Sequence, residues 1–322
     1  MKDKCPYCYK MKIMSDDHVF SDFLGGKATI LACKKCNSRF GHQFEGKVFS
    51  GLTPYIVILA INGMPIKKRL VWKNAHFHDG VHYDLDSDNK SMARPQPILS
   101  LEGKFSGFKA TLVNKYLKKA LKSLTHKGHK ITEIQEEITI NKKLIPPPFH
   151  FDDNMKRLAI KMCVGLLKYF NVTITMDHSA FEFLHKGFSV NPPVYIDFRP
   201  LQLIELHRSN TLSHLVYVEG NSKSGKCYGV VQIFGFFQMY VVISDEYDGE
   251  EFAFIGMHNS VTHDENFQRF QSIGIEMPPT SLPHDFIVTG CKSMFEKLNK
   301  LMDESFGKCI VFFDLSAMQV GP

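Results

Sequence analysis

Between Tyr55 and Ile61 every residue is apolar, and the run stops at the turn signal Asn62-Gly63. A short apolar stretch closed in this way predicts a strand. Leu70-Val71-Trp72 and Val81-His82-Tyr83 predict two more, with Asp79-Gly80 as the hairpin turn near them. Asn114 to Leu124 changes to a helical period: Leu117, Ala120, Leu121 and Leu124 share one face, and Lys115, Lys118, Lys119 and Lys122 the other. Three prolines at 146–148 end whatever precedes them. Asp153 to Phe170 then predicts a helix that is apolar around most of its girth and therefore buried. His214–Val218, Tyr228–Phe234 and Met239–Ile243 alternate with Gly, Asn, Ser and Asp turns, as strands do. A helix near Gly290–Met302 and a strand over Cys309–Phe313 close the chain.

The pattern is that of an α+β protein. It predicts an N-terminal module over residues 1–50, a β-rich region with a basic helix over 51–145, and a C-terminal α+β domain over 146–322. A chain of 322 residues, 44% apolar and 22% charged, has the length and composition for more than one packed core. The opening Met1-Lys-Asp-Lys4 has no apolar leader segment, and Val230 to Ile243, broken by two glutamines, is too short to span a bilayer. The expectation is a cytoplasmic protein with no membrane partner.

Charge changes this picture in one place. The net charge is +6, yet residues 104–130 hold eight lysines and no acid. Such a block suits a polyanion, and the lysines of the 114–124 face are candidate phosphate contacts.

The cysteines divide into two kinds. Cys163, Cys227, Cys291 and Cys309 are single and set in apolar surroundings, as buried thiols are. Cys5-Pro-Tyr-Cys8 and Cys33-Lys-Lys-Cys36 are two close pairs, the spacing of a structural zinc held by four thiolates. A zinc saturated by sulfur has no open position for chemistry. Between the pairs lies Asp17-His18, and Asn37 follows the last cysteine. A carboxylate and an amide oxygen suit a hard divalent ion, and an imidazole beside them can take a proton from water near neutral pH.

The order Cys5-x-x-Cys8, Asp17-His18-Val19, Gly25-Gly26, Cys33-x-x-Cys36-Asn37 and Phe40-Gly41 resembles the HNH endonucleases of the zinc-bound ββα-metal type, over residues 1–50. The resemblance implies a hairpin carrying Asp17 and His18 and a following helix carrying Asn37. It implies His18 as general base, with Asp17 and Asn37 holding a catalytic Mg²⁺ or Mn²⁺. The asparagine that usually pins the hairpin loop in that family is replaced by Ala28. Lys34, Lys35 and Arg39 flank the catalytic helix and are placed to meet a phosphate backbone. Glu45 falls nearer the Asn37 face of that helix than His42 does, and is the accessory candidate.

The implied activity is hydrolysis of phosphodiester bonds in DNA, with restriction and anti-phage nucleases among the families built this way. One such unit cuts one strand, so double-strand cleavage calls for a homodimer. Two other readings stay open: a zinc-stabilised module that binds nucleic acid without cutting, and a nuclease for RNA or for particular DNA structures. Gly220 to Cys227 comes near a phosphate-binding loop, but Cys227 stands where a hydroxyl is needed and a strand follows, which predicts a plain hairpin turn.

Overall fold

The computed structural model describes residues 2–76, 82–87, 90–93, 96–99, 105–113, 131–137, 143–144, 152–188, 192–197, 212–278, 284–306 and 312–313. It is an α+β protein of two compact units, one formed by Met1–Gly51 with His150–Ser305, the other by Leu52–Phe149 with Phe306–Pro322.

In the first unit, β1 (Lys2–Lys4), β2 (Met11–His18) and β3 (Thr29–Cys33) form an antiparallel sheet in that order. Helix α1 (Lys34–Phe40) starts at once, with Cys33 as its N-cap: the sulfur accepts the Cys36 amide. A single π-helical turn, Gly41–Glu45, joins α1 to α2 (Gly46–Ile61). Turns of this kind are frequent at functional sites because they rotate the side chains that follow.

The remainder of this unit is built on a six-stranded antiparallel sheet. Its strands are β11 (Val194–Ile196), β12 (Ser213–Asn221), β13 (Lys226–Ile233), β14 (Phe237–Ser244), β15 (Phe252–Asn259) and β16 (Glu265–Arg269), ordered β11-β14-β13-β12-β15-β16. The three strands expected from alternation are its centre, and residues 220–227 make the hairpin turn between β12 and β13. Both faces of β12 are buried. One is covered by Phe270, Ile273 and Ile275, which pack on Tyr217, Tyr228 and Ile255.

Helix α3 (Asp153–Tyr169) packs across the sheet and also against β3 and the π-helical turn. It starts at an N-cap, Asp152, whose carboxylate accepts the Met155 amide at 2.9 Å. The contact with the sheet is close: a Cβ at Gly229 would lie 2.5 Å from the Cys163 sulfur, so only glycine fits there. Helices α4 (His178–Lys186) and α5 (His284–Phe306) complete the described helices of this part of the chain.

The second unit holds β4 (Val71–His76), β5 (His82–Asp86), β6 (Lys90–Ala93), β7 (Gln96–Leu99), β8 (Phe105–Val113) and β9 (Ile131–Glu137). They form one sheet ordered β4-β5-β6-β8-β7, with β9 parallel to β8. A two-residue strand β10 (Lys143–Leu144) pairs in parallel with β17 (Phe312–Phe313). The basic face of Lys115, Lys118, Lys119 and Lys122 lies outside the described residues.

One sequence expectation is overturned. Tyr55–Ile61 is not a strand but the second half of α2. Tyr55, Ile56, Val57, Ile58 and Leu59 are all buried, so the run has no polar face to reveal its period, and β-branched residues there give way to the helix that reaches them past Pro54. By length and composition Lys34–Ile61 passes for a membrane span, yet 50% of its apolar window is buried inside the protein, and its first turn carries Cys36 and Asn37.

Candidate active site

The cysteine pairs converge. Cys5 and Cys8 sit on the turn after β1, Cys33 ends β3 and Cys36 lies in the first turn of α1. Their four sulfurs all lie within 4.8 Å of one another, and Cys8 Sγ is 3.8 Å from Cys33 Sγ. A tetrahedron with Zn–S bonds of about 2.3 Å has edges of about 3.8 Å, so the donor set fits zinc. The backbone supports anionic sulfur: Cys33 N–H donates to Cys5 Sγ and Cys36 N–H to Cys33 Sγ, each at 3.4 Å. Bonding from Cys36 and from nearby amides pulls the Cys5 thiol down to about 4, while the same contact pushes Cys36 up.

Asp17 and His18 end β2, paired with Ile30 and Thr29 of β3. Successive residues of a strand point to opposite sides. Asp17 accordingly turns inward and is 3% exposed, while His18 stays half-buried. The Asn37 amide group donates to Asp16 O at 2.6 Å and to Ser15 Oγ at 3.4 Å, which ties α1 to β2 and leaves its carbonyl oxygen as an acceptor. Asp17, His18, Asn37 and Glu45 line one cavity of about 320 Å³.

Two groups unforeseen from the sequence hold Asp17. The Tyr7 hydroxyl donates to Asp17 Oδ2 at 3.0 Å, and the Lys161 ammonium donates to Oδ1 at 2.7 Å. Lys161 also donates to Glu45 Oε1 at 2.8 Å, and Ser21 Oγ reaches the same oxygen at 2.5 Å. Burial opposes the charge on Lys161, but the Asp17 and Glu45 carboxylates outweigh it and hold its pKa above the ordinary lysine value. Burial and the Asp17 charge push the Tyr7 phenol well up, so it stays a donor.

The loop between β2 and β3 is also held from outside. Gly26 lies so close to Phe20 that a Cβ there would come within 1.8 Å of its carbonyl oxygen. Beyond it, Glu265 on β16 accepts the amides of Lys27 at 2.9 Å and Ala28 at 2.7 Å, and Lys27 Nζ donates to His263 O at 2.9 Å. Burial resists the Glu265 charge, but His258 and the two amides prevail and lower its pKa.

Of the other candidates, Lys34 and Lys35 are exposed at the start of α1. Arg39 is half-buried and turned inward, bonded to His185 and 3.9 Å from Cys36 Sγ. His42 is exposed and does not line the cavity, whereas Glu45 does. A buried lysine four residues from a buried arginine, Arg157, in an apolar helix was the available signal for Lys161, since such charges are almost never buried without partners. Nothing local to the sequence pointed to Glu265.

Residues 5–50 match the family model of the HNH endonucleases. No curated protein and no solved structure matches the chain. The matched segment contains every cysteine of the cluster together with Asp17, His18, Asn37 and Glu45.

For a second, catalytic ion, two carboxylates and an amide oxygen at one cavity wall are hard oxygen donors of the kind Mg²⁺ and Mn²⁺ take. The donor chemistry fits.

Proposed function

We propose that the chain is a metal-dependent endonuclease that hydrolyses phosphodiester bonds in DNA, with its catalytic centre at Asp17, His18 and Asn37. The observation that carries this reading is the shared cavity of those three side chains within a segment matching the HNH endonucleases.

His18 is half-buried at the cavity wall, exposed enough to meet water and fixed at the end of β2 by its neighbours on the strand. In this role its imidazole removes a proton from the water that attacks phosphorus, the contribution for which a pKa near neutrality suits histidine. Asp17 and Asn37 would hold the divalent ion, which supplies Lewis-acid stabilisation of the charge gathering on the leaving oxygen. Tyr7 and the Asn37 amide keep the ligand side chains in place. Lys34 and Lys35 meet the phosphates beside the scissile one without reading sequence.

The six-stranded sheet and α3 are assigned to selecting the substrate or sensing a trigger, because they contact the nuclease segment directly. A place in restriction or anti-phage defence, in the cytoplasm, rests on the resemblance of the N-terminal module. Double-strand cleavage would bring two copies together.

The test is cleavage of supercoiled plasmid by the purified chain across a Mg²⁺ and Mn²⁺ titration, beside His18→Ala. The expected result is metal-dependent nicking that falls about 10²- to 10⁴-fold in the variant. Cleavage undiminished in His18→Ala would overturn the mechanism. Parallel RNA, single-stranded and branched substrates separate the rival specificities, and binding without cutting under every condition would favour the zinc-stabilised binding module.

A further inference from the structure

Helix α3 approaches the nuclease segment with a stripe of cations. Arg157, Lys161 and Lys168 lie within about 40° of one another around the helix. Arg157 donates to Gln43 Oε1 at 2.9 Å and its guanidinium stacks 4.5 Å from the Phe44 ring; Lys168 pairs with Asp3 at 3.2 Å. Lys161, between them, enters the candidate active site itself and is 2% exposed.

Its ammonium bridges Asp17 Oδ1 and Glu45 Oε1 at 2.7 and 2.8 Å. These are two of the three carboxylates lining the cavity that also contains His18 and Asn37; Asp22 is the third, and the ion pairs of Lys161 are with the other two. The lysine therefore occupies the convergence of negative charge on which a divalent ion depends. With Lys161 in place, two carboxylates and one ammonium sum to −1; a divalent ion added at the same carboxylates would face that ammonium at close range in a buried setting, where like charges repel strongly. With the ammonium withdrawn, the two carboxylates balance the ion.

Taking Asp17 as a ligand of the catalytic ion, as proposed above, we infer that Lys161 is a built-in competitor of that ion. Its ammonium is the counter-ion of Asp17 and Glu45 in the metal-free protein and leaves them when the ion binds. Lys161 thereby sets the metal affinity of the nuclease site, and because it stands on α3, that affinity is tied to the packing of the C-terminal sheet. Nothing within residues 5–50 carries this property; it comes from a helix more than 100 residues downstream, at a separation of 144 from Asp17.

The experiment uses the full-length, zinc-loaded protein and measures Mn²⁺ binding directly, by the electron paramagnetic resonance signal of free Mn²⁺ during titration. Wild type is compared with Lys161→Met, which keeps the apolar stem and removes the charge, with Lys161→Arg, which keeps the charge, and with Asp17→Asn. The inference expects Lys161→Met to bind Mn²⁺ at least about tenfold more tightly than wild type. Lys161→Arg should bind no more tightly than wild type, and Asp17→Asn should lose the site.

Unchanged or weaker Mn²⁺ binding in a folded Lys161→Met protein would overturn the inference and leave the nuclease reading standing, provided Asp17→Asn still abolishes binding. Binding that persists in Asp17→Asn would overturn both. Should Lys161→Met fail to fold, the wild-type protein supplies the answer through amine labelling read by mass spectrometry. Lys161 should be protected without Mn²⁺ and at least about threefold more reactive at saturating Mn²⁺, as its burial is relieved. Equal protection in the two states would count against displacement.

Discussion

The Glu265 carboxylate accepts the Ala28 amide at 2.7 Å across 237 residues of sequence. Ala28 stands where the HNH endonucleases that residues 1–50 resemble place an asparagine that pins the loop from within, and Glu265, which also accepts the Lys27 amide, pins it from the far edge of the six-stranded sheet. The loop leads directly into β3, the partner strand of His18. Glu265→Ala should therefore loosen the hairpin that orients His18, the general base proposed above. Two hydrogen bonds from backbone amides to a half-buried carboxylate are worth about 1–3 kcal/mol together after allowance for solvent. Amide exchange at Lys27 and Ala28 should accelerate, and cleavage should fall with little change in metal affinity. Glu265→Gln, which keeps an acceptor, should lose less. Protection factors at both amides that match wild type in Glu265→Ala would remove the positioning role.

Zinc should be present at one ion per chain and should be needed for folding of the nuclease segment. Cys5, Cys33 and Cys36 are buried, and the segment's own strands are short, so the metal replaces core that the module lacks. Structural zinc contributes roughly 10 kcal/mol or more in small modules. Cys36→Ser should abolish stoichiometric zinc in elemental analysis and expose residues 1–51 to proteolysis. Cys163→Ser, in a buried thiol distant from the cluster in sequence, should retain its zinc. A Cys36→Ser protein with full zinc content and wild-type resistance to protease would contradict the site.

What the sequence displayed and what it hid follow from the range of each interaction. The cysteine pairs, Asp17-His18 and Asn37 act within 33 residues, where spacing translates directly into strand faces and helix turns. The central strands of the sheet were legible because Gly, Asn and Ser turns bound each apolar run. Lys161 was hidden because its partners are 144 and 116 residues away, and a helix apolar on nearly every side reads as core whatever its lone cations do. Glu265 was hidden for the same reason. Tyr55–Ile61 was misread because burial on all sides erases periodicity.

Tyr7 lies inside the first cysteine pair yet holds Asp17, the metal ligand proposed above. It is fully buried, and its hydroxyl donates to Asp17 Oδ2 at 3.0 Å. Tyr7→Phe keeps the ring against Phe40, 5.2 Å away in an edge-on contact, and leaves one buried carboxylate oxygen without that donor. The cost should be about 1–3 kcal/mol. Zinc content should stay at wild-type level, because Tyr7 supports the Cys5 sulfur through its backbone amide, which phenylalanine keeps. Thermal unfolding followed by circular dichroism checks the first expectation and elemental analysis the second. An unchanged melting temperature would show that the bond to Asp17 contributes nothing to the fold.

Acid should destabilise the first unit through His214 before its carboxylates protonate. His214 is fully buried: its Nδ1 accepts the Phe234 amide at 3.2 Å and its Nε2 meets Ser260 Oγ at 3.1 Å. That arrangement requires the neutral ring with its proton on Nε2, and protonating Nδ1 would break the bond from Phe234. Burial, and then the neighbouring His258 ring, hold the His214 pKa well below 6.5, against a weaker pull from the Leu24 carbonyl. Behind this cluster Glu265 pairs with His258 Nδ1 at 3.3 Å, and the His263 ring lies 5.8 Å from that of His258. Because the folded-state pKa is depressed, the unfolded chain takes up the proton first. Stability from this group is complete above about pH 6.5 and is lost progressively as the pH falls below it. Below about pH 4.5 the loss should steepen, since the Glu219 and Glu265 carboxyls are also held below their ordinary range and must then protonate. Melting temperatures between pH 7.5 and 5.0, measured with zinc in excess, should fall steadily in wild type. They should fall less steeply in His214→Gln, which has no group to titrate there but starts from a lower stability. Parallel pH profiles for the two proteins would assign the acid sensitivity to another residue.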